Sequence, residues 1–116
     1  MNRLLAISLA ICSFSAVAAD LPTHEEAQAQ IKKCGEIAQI ASGMLAAATV
    51  DNIPKEEMES KFRRLEVSSD NERKSVNFGK RVMNHAYKAA ESGATRGFID
   101  FYYDACLNNF NKFKDL

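Results

Sequence analysis

Residues 27–48 read AQAQIKKCGEIAQIASGMLAAA, and within them Ile31, Cys34, Ala38, Ala41, Leu45 and Ala48 follow one another at alternating steps of three and four. At 100° per residue that spacing keeps the six positions on one face of an α-helix, which Ile37, Ile40 and Met44 widen on one side. The alanines favour helix and permit a close neighbour, whereas Gly35 and Gly43 cost local stability unless something packs tightly there. Upstream, Thr23 and Glu26 have the spacing of a capping box just after Pro22, so the helix is expected to begin there. Downstream, the β-branched and turn-favouring residues from Thr49 to Ile53 break the pattern.

Three further helices follow from the same reasoning. Pro54 fits the first position of a short second helix, whose opening Glu56 and Glu57 complement the macrodipole and whose stripe is Met58, Phe62 and Leu65. Ser68 to Asn71 form a polar break, and Ser69 with Glu72 repeats the capping-box spacing. The third helix carries two apolar stripes on nearly opposite sides: Val76, Gly79, Met83, Tyr87 and Ala90, then Phe78, Val82, His85 and Ala89. Ser92 and Gly93 supply its C-terminal stop. A last helix is expected from near Thr95, with Ile99, Tyr102, Tyr103, Cys106, Phe110 and Phe113 on one face and Gly97 interrupting its early turn. All the breaks are short, and no internal repeat or low-complexity tract is present. The expected fold is therefore all-α, a four-helix antiparallel bundle.

The start of the chain sets the compartment. Asn2 and Arg3 precede an apolar run from Leu4 to Val17, and Ala16-Val17-Ala18-Ala19 offers small residues for cleavage after Ala18 or Ala19. The run is shorter than the roughly 20 residues of a spanning helix, so no stable membrane insertion is expected after cleavage. We expect residues 1–19 to be a signal peptide and 20–116 a single α-helical domain, periplasmic or secreted. Cys12 sits behind Ile11 rather than the small residue a lipoprotein signal carries, which favours a discarded residue over a lipid-bearing one.

Cys34 and Cys106 then remain, an even count in an oxidising compartment, and both point inward on their helices. A disulfide between them would join the first helix to the last and contribute on the order of 4 kcal/mol. No Cys-x-x-Cys or His-x-x-x-His spacing preorganises a metal site, and neither metal nor cofactor is expected.

Charge narrows the partners. Loss of residues 1–19 removes Arg3, one of 15 basic side chains, and none of the 15 acidic ones, so the mature net charge is about −1. No global field is available to hold nucleic acid. The region from Lys55 to Lys88 leans basic through Arg63, Arg64, Arg73, Lys74, Lys80 and Arg81, but interleaved glutamates favour solvated helix faces over an acidic partner's contact.

Catalytic constellations are not legible. There is no Gly-x-Ser-x-Gly elbow and no glycine-rich phosphate loop. Glu25-Glu26 and Glu56-Glu57 open helices, and Asp100 with Asp104 read first as solvated side chains. His85 reads first as a packed edge residue and second as a base or pH sensor in a groove; His24 has less claim.

What is left over is apolar. Phe78 and Val82 on the third helix, with Phe98 and Phe101 on the fourth, exceed what one buried face needs. They either thicken the core or form a dimer or partner contact.

The order of features resembles a family of small secreted two-cysteine helical proteins of proteobacteria and their phages. Cys34 with Ala38, Ala41 and Met44 carry the resemblance, then Ile53-Pro54 and Met58, Val82 with Ala86-Tyr87, and finally Phe98, Phe101-Tyr102 and Cys106. It implies secretion and a helical fold but no activity. The expected function is a non-enzymatic periplasmic module that binds another protein or a second copy of itself, of immunity, inhibitor or phage-exclusion type. A periplasmic acid-stress chaperone is one alternative, and a small-ligand carrier or enzyme with a cavity between helices is another.

Overall fold

The Thr23 side chain accepts a 3.1 Å hydrogen bond from the Glu26 amide, and helix α1 runs from there over His24–Thr49. The computed structural model describes residues 21–116; the expected signal peptide, its cleavage point and Cys12 lie outside the described residues. Helix α1 stops where the chain folds back through Asn52, at φ 50°, and the Ile53 amide returns to the Ala47 carbonyl. Pro54 then precedes α2, Lys55–Arg63, which buries none of its residues.

Helix α3, Asp70–Ser92, opens on a reciprocal cap. The Ser69 hydroxyl accepts from the Glu72 amide, while the Glu72 carboxylate accepts from the amide and hydroxyl of Ser68. At the other end Gly93 takes the left-handed conformation, φ 72°, and the Ala94 amide closes onto the Ala89 carbonyl.

Every regular element among the described residues is helical, but there are five helices instead of the expected four. The last expected helix starts late and breaks early. Gly97, at φ 77°, delays its start to Phe98, because a left-handed residue cannot continue a helical turn. Asn109, at φ −133° and ψ 43°, divides it into α4, Phe98–Asn108, and α5, Phe110–Phe113.

Three helices build the core. Cys34, Ile37 and Ala41 of α1 meet Phe78, Val82, Ala86 and Ala89 of α3 and Phe98, Tyr102 and Cys106 of α4. The four-helix arrangement expected from the sequence thus reduces to a three-helix core with α2 lying mainly along α3. The two stripes of α3 explain why. Its Phe78–Val82 side faces α1 and α4, while at Gly79 an added Cβ would come 3.0 Å from the Phe62 ring of α2, so the glycine permits that close approach. On the same side the Tyr87 hydroxyl reaches the Ile53 carbonyl.

Cys34 and Cys106 are fully buried with their sulfurs 2.06 Å apart and their Cα atoms 5.5 Å apart, a separation that accommodates a disulfide. The face expected for α1 is rotated in detail. Ile37 is core, whereas Ile31 is 55 % exposed because the covered face of α1 runs through Ala27, Gln30, Cys34 and Ile37 instead. Leu65, expected in the stripe of the second helix, falls beyond α2 and is exposed.

Candidate functional site

Helices α3 and α4 bring three aromatic rings together around His85. Its ring centroid lies 4.7 Å from Phe98, 5.8 Å from Phe101 and 5.6 Å from Tyr102, and its Nδ1 shares a 2.8 Å hydrogen bond with the Tyr102 hydroxyl. Phe101 in turn stands edge-on to Tyr102 at 5.3 Å. Such contacts fix ring orientation and add roughly 0.5–1.5 kcal/mol per pair beyond burial.

Burial pushes the Tyr102 phenol above its usual value, and the Arg81 guanidinium offsets part of that. The hydroxyl therefore stays protonated near neutrality, where it orients His85 and does not serve as a base. His85 itself is on the solvent side of the cluster. Among the described residues no three His, Cys, Asp or Glu side chains gather as a metal site would require. Asp100 and Asp104 are both exposed.

The apolar residues singled out as a contact surface separate into two groups. Phe78, Val82 and Phe98 are 6 %, 0 % and 4 % exposed and belong to the core, which corrects the expectation that they form a partner-binding patch. The physical reason is the demand of a three-helix core: α3 must serve α1 and α4 at once, so its second stripe is consumed inside. Phe101 alone remains outside, at 58 % exposure, held by rings yet open to solvent.

Beside this cluster runs an open groove of about 800 Å³ between α3 and the C-terminal helices. Phe78, Tyr102 and Phe113 line it, with Lys74, Arg81 and Lys112 at its margin. The Phe78 ring meets Tyr102 at 6.1 Å and Phe113 at 5.7 Å, both edge-to-face. The break at Asn109 makes this possible, since α5 departs from the course of α4 there.

The basic lean of residues 55–88 was the available signal for Lys74 and Arg81, but interleaved glutamates masked it. Lys112 carried no signal at all, because its position depends on the Asn109 break. No helix among the described residues is long and apolar enough to cross a membrane. Comparison of the sequence with family models and with curated proteins, and of the fold with solved structures, finds no match.

Proposed function

We propose that the chain works outside the cytoplasm, after loss of residues 1–19, as a non-enzymatic protein-binding module of immunity, inhibitor or exclusion type. Its contact surface is the Phe101 face of α4. One observation carries the reading: Phe101 is an exposed aromatic whose orientation is fixed by His85 and Tyr102, at 5.8 and 5.3 Å. The solvent-facing part of the ring contributes nothing to folding, and holding the ring still lowers the entropy lost when a partner covers it. The buried cysteine pair supports an oxidising compartment.

Photo-crosslinking tests this directly. A photoreactive phenylalanine analogue replaces Phe101, and the protein is irradiated in the extracytoplasmic fraction of its producing cell. The expected result is a discrete crosslinked product, identified by mass spectrometry as a second copy or another protein. Excess unlabelled wild-type protein should compete it away, and Phe101→Asp protein should not. If no product is competed by wild-type protein, the proposal is overturned.

A further inference from the structure

The groove beside Phe101 has a chemistry of its own. Lys74, Asn77, Phe78 and Arg81 fall on one face of α3 at 100° per residue, Lys80 flanks them, and Lys112 comes from α5. No aspartate or glutamate side chain lines the groove, which Leu116, the last residue of the sequence, also borders, and none of its four cations joins an ion pair among the described residues. Like charges gathered over an apolar floor repel one another, and a ligand of opposite charge relieves that repulsion.

The spacing of the cations selects the kind of anion. Lys74 and Arg81 are two helical turns apart, about 10 Å along the axis at a rise of 1.5 Å per residue. A single carboxylate or phosphate headgroup would have to draw both side chains inward to pair with the two of them. An extended peptide covers the same distance in about three residues, so carboxylates along it can reach both. The floor gives nucleic acid little to stack on: Phe78 and Tyr102 are packed edge-to-face and nearly buried, and Phe113 is partly buried and meets Phe78 edge-to-face.

We infer that the groove binds an acidic peptide segment of the partner protein, with one apolar side chain on the Phe78, Tyr102 and Phe113 floor and flanking carboxylates paired with Lys74, Arg81 and Lys112. This rests on the protein-binding reading above. Arg81 can engage a carboxylate through two parallel N–H donors, whereas the lysines act as point charges.

The probe is a short synthetic peptide in which glutamates alternate with leucine around a central phenylalanine, titrated into isotope-labelled full-length protein and followed by amide chemical shifts. Saturable shifts are expected at groove residues, weakening at higher salt. The same peptide with glutamine for every glutamate should give none. A Lys74→Glu/Arg81→Glu variant, both sites being exposed, should bind at least roughly tenfold more weakly with unchanged circular dichroism. Lys74→Gln/Arg81→Gln provides a milder second variant with the same expected direction. Undiminished binding in both variants overturns the inference, as does absence of saturable shifts with the acidic peptide. Tighter groove binding by a single-stranded oligonucleotide or by anionic phospholipid vesicles overturns it too. Phe101 does not line the groove, so the crosslink at position 101 reads the wider proposal separately.

Discussion

The Tyr87 hydroxyl of α3 donates a 2.6 Å hydrogen bond to the Ile53 carbonyl, 34 residues earlier in the link between α1 and α2. This bond ties the non-helical turn between those helices to the body of the protein, and about two turns earlier on α3 the Phe62 ring fits over Gly79. Position of α2 relative to α3 therefore rests on that phenol and on half-buried side chains such as Met58 and Phe62, since α2 fully buries no residue of its own.

Tyr87→Phe should destabilise the protein by about 1 kcal/mol, the usual net value of such a bond, read as a shift in the denaturant midpoint at constant slope. Burial holds the Tyr87 phenol above its ordinary 10.0, with Glu57 and then Glu56 adding in the same direction. The folded state thus keeps the proton longer than the unfolded one. The associated stability is fully present below pH 10.0 and is lost as pH rises through the folded value, so the variant should show a shallower alkaline decline.

Phe98 and Phe101 are three residues apart on α4 and should behave in opposite ways. Phe98→Ala removes a buried ring and should cost about 3–5 kcal/mol. Phe101→Ala gives up two half-exposed edge contacts and should cost only about 1 kcal/mol, while abolishing partner recovery. Thermal denaturation of the two variants side by side provides the comparison, and equal losses would contradict the assignment of Phe101 to the surface.

At acidic pH the first turn of α3 should loosen before the core does. Hydrogen bonds from the Ser68 amide and then the Ser68 hydroxyl hold the Glu72 carboxyl below its ordinary 4.5. Its contribution is present above pH 4.5 and disappears as pH falls through the lower folded value. Protection of the Ser68 and Glu72 amides, measured as exchange relative to the intrinsic rate at each pH, should fall across that window in the wild type. Glu72→Gln keeps an acceptor without the charge, so its protection should lose this pH dependence.

Reduction of the Cys34–Cys106 pair frees a long loop in the unfolded chain and should lower stability by about 4 kcal/mol. A Cys34→Ala/Cys106→Ala variant, melted beside the oxidised protein, measures the loss. Because both cysteines are fully buried, reductant should act on the native protein only as fast as it opens.

Much of the fold was legible because it is written in local spacings. Thr23 with Glu26 and Ser69 with Glu72 announce helix starts three residues apart, and Gly93 announces a stop, since each acts on backbone groups within one turn of itself. The inward direction of Cys34 and Cys106 also followed from helical period, and the compartment argument made their pairing the default. Two stripes on α3 were visible as well, though not which neighbour each would meet.

Long-range packing decided the rest. Whether Phe78 and Phe98 lie inside, or Phe101 outside, depends on how α1, α3 and α4 rotate against one another, which no single helix encodes. Asn109 is an unremarkable residue in a helical pattern, yet the turn there carries Phe113 to Phe78 and Lys112 to the groove. The sequence alone determined an all-helical chain with two inward cysteines, because periodicity and caps are properties of neighbouring residues. The candidate binding face, by contrast, was decided by tertiary structure, because its charges and rings come from segments that meet only after the helices have packed.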